Sequence, residues 1–411
     1  MSDVVFEPGR SLPAKSLELF FDYSCPYAYV ASVGAPSLAA RMGVPLTYKP
    51  FLLGGVFKAR GTPQDLMNQL APAKAAHNQA DITRAARAAG VPLVFPGEHP
   101  RRTVEALRAT LATGISPGVI AGFFRAYWVE GADPSSPETI ARVVTEAGFH
   151  APVVLAQIGQ PVVKVDLRER TDEAIARGVF GAPTFFVDGK YMYWGQDRMV
   201  FVEGLPPAPA RPTIPSTGRV LEAYWDYSSP FSYLAMTQVE KLAERAGAKL
   251  VDRPMLLGGI FKEIGQVQVP LASWSAARQK YTMDDIHRWA AYWGVPFKSP
   301  SRFPMNTIKP LRATLALPPE RRSAFRAAVF HAYWADDRDI GDDAVLSELL
   351  GEGAPAVLAR TQDPAVKNEL IAATRSAVAA GVFGAPTFVI DGKELYWGQD
   401  RLGMIEEALR A

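Results

Sequence analysis

The chain has one cysteine in 411 residues, so no disulfide can form within it. A lone thiol also argues for a reducing, cytoplasmic setting. Histidine is scarce: five, scattered, which with one cysteine make no metal-ligand cluster. Neither sign of charge is in excess. A net charge of +2 lacks the bias that would mark nucleic acid or an anionic membrane as a partner. No apolar run reaches about 18 residues, so no transmembrane helix is expected. Met1 to Ser16 is polar and proline-bearing, without the apolar centre of a signal peptide. What remains is ordinary globular composition, 48% hydrophobic and 21% charged, in a length that predicts two domains.

Two domains are written in the sequence as a repeat. Phe21-Asp22-Tyr23-Ser24-Cys25-Pro26-Tyr27 returns as Trp225-Asp226-Tyr227-Ser228-Ser229-Pro230-Phe231. The block from Lys49 to Lys58, with Leu-Leu-Gly-Gly at its centre, returns from Arg253 to Lys262. Gly178 to Phe185 returns as Gly381 to Phe388, and Tyr193 to Arg198 as Tyr396 to Arg401. Four blocks in one order, with one residue of slippage, mean a duplicated domain. The period is far too long for a solenoid. Residues 204–218 hold five prolines and read as a semi-rigid linker between domains at 1–203 and 219–411.

Each copy gives the same coarse reading. A short apolar strand (Leu17–Asp22; Leu221–Trp225) runs into a tight turn and a helix (Val30–Met42; Leu234–Ala246). A second strand follows (Leu46–Phe51; Lys249–Met255). A long block with helical apolar spacing comes next, from about Pro63 to Arg177 and from Ser273 to Ala380. Then come Ala-Pro-Thr, a strand, an Asp-Gly hairpin turn, another strand, and a last helix starting at Asp197 or Asp400, both good N-caps. The order is βαβ, helical insert, ββα. This predicts an α/β protein of two tandem thioredoxin-like domains, each with a helical insertion. Pro26 and Pro230 open the first helix, which puts Cys25 and Ser229 at its N-terminus, where negative charge is favoured. A thiol there is more easily ionised.

Both copies resemble the DsbA-like thioredoxin-fold family that includes 2-hydroxychromene-2-carboxylate isomerase and kappa-class glutathione transferase. The matching residues are the Cys25 and Ser229 motifs, the two Leu-Leu-Gly-Gly blocks, Gly181-Ala182-Pro183-Thr184, Trp194-Gly195-Gln196-Asp197-Arg198, and the copies of the last two. In such a fold the proline after Ala182 or Ala385 is cis and faces the strand–helix motif. The resemblance implies glutathione as cofactor: Ala182-Pro183 and Ala385-Pro386 would meet the backbone of its cysteine, and Gln196-Asp197 and Gln399-Asp400 its γ-glutamyl end. Plain capping by the aspartates is compatible with that role. Ser229 matches the family's catalytic serine, whose hydroxyl would hold the glutathione sulfur as thiolate. Cys25 departs from it, and Ala28 stands where a dithiol partner would be, so no intrachain dithiol cycle is open. Cys25 could form a mixed disulfide, attack an electrophile, replace the serine, or be an inert buried thiol.

The copies differ in the insert as well. Pro304-Met305-Asn306-Thr307 resembles the isomerase branch, whereas Arg102 stands where Asn306 does. Arg278 and Tyr281 in the second copy match Lys74 and His77 in the first. These cations, with Lys58 and Lys262, would suit a ligand carboxylate, or be solvated helix-face charge. His77, His99, His287 and His331 have no repeated partner at metal-ligand spacing and read as bland. Aromatic pairs such as Tyr127-Trp128 and Tyr333-Trp334 read first as core. The reading is a glutathione-dependent isomerase or transferase acting on an aromatic or unsaturated carboxylate through thiolate addition. The alternatives are a monothiol oxidoreductase using Cys25 and a non-catalytic thiol-ligand binding protein. Since single-copy members are often dimers, the fused copies predict a monomer with an intrachain pseudo-dimer, or a homodimer. The expected partner is a small-molecule substrate.

Overall fold

The computed structural model describes residue 10 and residues 13–63, 69–267 and 270–411. Two stretches read above lie partly outside the described residues. They are the polar start (1–9 and 11–12) and the beginning of the first insert (64–68).

In the first repeat, β1 (Leu17–Phe21) leads to α1 (Pro26–Met42), β2 (Leu46–Pro50) and α2 (Leu53–Arg60). The insert holds α3 (Pro72–Ala88), α4 (Val104–Ala112), α5 (Pro117–Trp128), α6 (Pro137–Glu146), α7 (Ala151–Gln157) and α8 (Pro161–Ala176). The chain then returns as β3 (Thr184–Val187), β4 (Tyr191–Trp194), a 3-10 turn over Gln196–Arg198 and α9 (Met199–Glu203). The sheet order is β2-β1-β3-β4. β1 is parallel to β2 and antiparallel to β3, with Leu19 between Tyr48 and Phe185. As a central strand covered on both faces, β1 is almost wholly apolar. Asp188 and Gly189 take φ of 53° and 65°, the double left-handed turn that the Asp-Gly pair predicts.

The second repeat builds the same sheet from β5 (Val220–Trp225), β6 (Lys249–Pro254), β7 (Thr387–Ile390) and β8 (Glu394–Trp397), ordered β6-β5-β7-β8. Its helices are α10 (Pro230–Met236), α11 (Val239–Arg245), α12 (Leu257–Glu263), α13 (Ala276–Trp293), α14 (Ile308–Ala316), α15 (Pro319–Trp334), α16 (Asp343–Leu350), α17 (Ala354–Arg360), α18 (Pro364–Ala379) and, last, α19 (Leu402–Arg410). The two-domain thioredoxin-like reading is therefore what the chain forms.

Two local expectations need correction. The helix expected over Leu234–Ala246 is broken into α10 and α11. Thr237 Oγ1 donates to the Leu234 carbonyl at 2.6 Å, the acceptor that the Gln238 amide needs to continue the helix. Gln238 N–H turns to Ala235 O instead, at 3.0 Å. Val33 holds the equivalent place in α1, which runs through. The last helix does not start at Asp197 or Asp400. Both lie inside 3-10 turns, and Arg198 and Arg401 occupy the cap positions of α9 and α19.

Contacts divide the chain into two units. Unit one comprises Met1–Leu70, Asn78–Pro206 and Ser275–Tyr281. Unit two comprises Ala71–His77, Pro207–Trp274 and Thr282–Ala411. A short segment of each repeat thus packs in the unit formed mainly by the other. Within unit two the linker's end is laced down, with Ile214 N–H on Arg245 O and Thr217 N–H on Gly247 O. No helix among the described residues is long and apolar enough to cross a membrane.

Candidate functional site

The motif that ends β1 is built around a buried carboxylate. Asp22 Oδ1 accepts from Ser24 N–H at 3.0 Å and Thr103 Oγ1 at 2.8 Å, while Oδ2 accepts from Leu53 N–H at 2.8 Å. One side chain thereby ties the motif turn to the starts of α2 and α4. Asp226 does the same with Ser228, Thr307 and Leu257 at 3.0, 2.7 and 2.7 Å. Burial pushes both carboxyls above the ordinary range, against the pull of these donors. The following tyrosine is held by the insert. Trp128 Nε1 donates to Tyr23 O and Trp334 Nε1 to Tyr227 O, each at 2.8 Å. Sequence reasoning missed this anchoring role of the aspartates. The signal was present, since a threonine recurs at one fixed spacing after each (Thr103, Thr307).

In unit one, Cys25 begins α1 and is 8% exposed. Its Sγ donates to the carbonyl of Ala182 at 2.9 Å. The peptide from Ala182 to Pro183 is cis, as is that from Ala385 to Pro386. The expectation of an easily ionised thiol is not met here. Burial pushes the Cys25 thiol up to about 12, the backbone amides of Ala28 and Tyr27 only partly oppose it, and the nearby Asp22 charge adds to it. In unit two, Ser229 is 3% exposed. Its Oγ donates to Ala385 O at 3.0 Å and accepts from Ser232 N–H at 3.0 Å. So Ser229 caps α10, whereas Cys25 forms no side-chain cap on α1.

The Gly-Ala-Pro-Thr and Trp-Gly-Gln-Asp blocks meet through a tryptophan. A Cβ on Gly181 would lie 2.5 Å from Trp194 Nε1, and one on Gly384 equally close to Trp397 Nε1. Only glycine lets the indole edge sit there. Gly195 and Gly398 both take φ of 109°, and a Cβ at either would strike Asp197 or Asp400 Oδ1 at 2.5 Å. The carboxylates therefore fold back over their own turns. Asp197 pairs with Arg198 at 3.0 Å and Asp400 with Arg401 at 3.2 Å. α10 packs on the turn over Gln399–Arg401, which brings that turn beside the Ser229 motif. Gln399 is 3% exposed, and its Nε2 is buried with no hydrogen-bond partner among the described residues.

The remaining candidates scatter. Lys58 and Lys262 are exposed on α2 and α12. Asn306 is exposed, and its Oδ1 accepts from Ile308 N–H at 3.0 Å to start α14. It lines a cavity of about 300 Å³ with Lys309, Arg312 and Gln362, and Ser229 is not part of that lining. Arg102, its counterpart, pairs with Glu105 at 2.8 Å. Arg278 and Lys74 do reach the tryptophans. Arg278 lies 5.7 Å from the Trp194 ring and Lys74 5.4 Å from the Trp397 ring. His77, taken above as bland, accepts Trp397 N–H at its Nε2 at 3.1 Å. No group of three metal-ligating side chains occurs among the described residues.

Two sheets of this order, each with a helical insert and a cis-proline loop facing a Cys-Pro or Ser-Pro helix start, define a thioredoxin-type enzyme scaffold. The chain belongs to the DSBA-like thioredoxin domain family, whose model matches residues 16–205 and 220–410. It is 30% identical over 200 residues to 2-hydroxychromene-2-carboxylate isomerase of Sphingobium xenophagum, covering 46% of this chain and 98% of that protein. It is 31% identical over 199 residues to glutathione S-transferase kappa 1 of Rattus norvegicus, covering 44% of this chain and 87% of that one. A solved structure of 2-hydroxychromene-2-carboxylate isomerase aligns at 27% identity and a TM-score of 0.42, over 46% of this chain and 92% of that chain. Each of these relatives aligns with a little under half of this chain; the tandem duplication rests on the two matches of the family model.

Proposed function

We propose that this protein is a glutathione-dependent isomerase or transferase of the 2-hydroxychromene-2-carboxylate isomerase type, working on an aromatic or unsaturated carboxylate, with Ser229 at its reacting centre. The observation that carries this reading is the buried Nε2 of Gln399, without a hydrogen-bond partner among the described residues, on the turn packed against α10. An unpaired buried donor costs about 1–3 kcal/mol, and a ligand acceptor would recover it. The γ-glutamyl end of glutathione fits the donor set, because it carries a carboxylate for Gln399 and an ammonium for Asp400. Ala385 would meet its cysteine backbone. In the other unit Ala182, Pro183, Gln196 and Asp197 have the matching places.

Bound glutathione would supply a thiolate nucleophile toward an electrophilic conjugated carbon. The chain's own task is to keep that sulfur ionised and the substrate oriented. The Ser229 hydroxyl can rotate from Ala385 O to donate to a sulfur, while Ser232 N–H keeps its oxygen in place. Lys74, beside Trp397, offers a cation to a substrate carboxylate. The Cys25 unit lacks this hydroxyl, and its neutral buried thiol weighs against the monothiol oxidoreductase.

The test uses glutathione with 2-hydroxychromene-2-carboxylate. Ser229→Ala is expected to lower kcat/KM by about 100-fold, in the range for loss of one charge-stabilising donor. Cys25→Ser is expected to leave most of the rate. The reverse pattern would sink this reading and favour the thiol enzyme.

A further inference from the structure

Tyr281 and His77 hold equivalent places in the two repeats, and each packs in the unit built mainly from the other repeat. In unit one, Tyr281 Oη accepts Trp194 N–H at 2.8 Å and donates to Trp194 C=O at 3.3 Å. Trp194 ends β4, an edge strand whose outer backbone groups have no strand partner among the described residues. Tyr281 is 5% exposed and stacks obliquely on Phe180 at 5.5 Å. Arg278, one helical turn earlier, places its guanidinium over the Trp194 ring, and burial pushes its pKa down to about 10. In unit two, His77 Nε2 holds Trp397 N–H, its ring lies 5.5 Å from Phe383, and Lys74 covers the Trp397 ring.

These contacts fall where they can matter to a ligand. Trp194 and Trp397 immediately precede the Gly-Gln-Asp turns, and their indoles fill the space over Gly181 and Gly384 in the cis-proline loops. Each tryptophan therefore joins the two halves of its site. Whatever fixes its backbone fixes the spacing between the alanine carbonyl and the aspartate turn.

We infer that each site is completed by the other sequence repeat: Tyr281 positions, and Arg278 charges, the Cys25 site, while His77 and Lys74 do so for the Ser229 site. The ligand class is the carboxylate-bearing γ-glutamyl peptide of the proposed function, on which this inference rests. The sites differ in this respect as well as in their Cys and Ser. A hydroxyl satisfies both backbone groups of its tryptophan, whereas an imidazole holds the amide through one unprotonated nitrogen.

The single cysteine makes the test specific to one unit. Full-length protein is alkylated with iodoacetamide at pH 10, where the buried thiol begins to react, with modification of Cys25 read by peptide mass spectrometry, while S-methylglutathione, which has no free thiol, is titrated in. Protection of Cys25 reports occupancy of its site alone. Tyr281→Phe and Arg278→Met are expected to raise the half-protecting concentration about tenfold. Lys74→Met and His77→Gln, though in the same repeat as Cys25, are expected to leave it unchanged. Tyr281→His, which restores an acceptor for the Trp194 amide, is expected to recover most of the loss, with the melting temperature of each variant followed in parallel. Sensitivity to Lys74 and His77 instead of Tyr281 and Arg278, or to none of the four, would overturn the inference and leave the glutathione reading intact. Absence of protection in the unmutated chain would remove glutathione from this site, and the inference with it.

Discussion

At the scale of single residues, the two helix-start side chains make one contact with opposite chemical consequences. Cys25 Sγ and Ser229 Oγ each point at an alanine carbonyl, at 2.9 and 3.0 Å. A hydroxyl is a good donor and acceptor in so closed a place. A thiol there is kept neutral. Since burial raises the Cys25 pKa to about 12, the folded protein holds that proton far above the ordinary thiol range near 8.5. The rate of Cys25 alkylation is therefore expected to keep rising beyond pH 10 in the native chain and to level off near pH 9 in denaturant. A native plateau below pH 9 would contradict the burial argument. The aspartates one step inward carry the fold of the site. Asp226→Ala strands the Ser228 and Leu257 amides and the Thr307 hydroxyl, and is expected to cost about 3 kcal/mol in chemical denaturation. Thr307→Val removes one donor only and should cost about 1 kcal/mol.

At the scale of elements, the strands, the Asp-Gly hairpins and the proline-started helices were legible because local chemistry specifies each of them. The α10–α11 break was not, since helical periodicity continues straight through it. The Thr237 hydroxyl, where α1 has Val33, takes the Leu234 carbonyl that the helix needs, so Thr237→Val is expected to extend α10 and slow hydrogen exchange at the Gln238 amide. Exchange unchanged from the unmutated chain would place the cause elsewhere. The site was legible to a similar depth. The family resemblance, carried by motifs in one order, brought Cys25 or Ser229, the Ala-Pro loop and the Gln-Asp turn into one reading. It could not show that Asn306 would spend its oxygen on starting α14, nor that the last-helix aspartates would fold back over glycines rather than cap. Both depend on where a side chain turns within a loop, which spacing does not encode. Repeat register also left open which unit Arg278 and Lys74 would join.

At the scale of the whole chain, each unit has its own sheet, its own aromatic core and its own cis-proline loop. Calorimetric titration of the full-length protein with glutathione is expected to give two binding events of unequal affinity, with Ser229→Ala altering one. A single event would mean that one unit serves only as structure. The placement of Tyr281 against Trp194 and of His77 against Trp397 bears on how the halves of a duplicated gene can diverge. Here a substitution at residue 281 is felt at the strand end of the first repeat, and one at residue 77 at that of the second. Exchanging one half for a single-copy relative's is therefore expected to remove a hydrogen bond from a strand end in the half left unchanged, wherever the relative lacks a matching tyrosine or histidine.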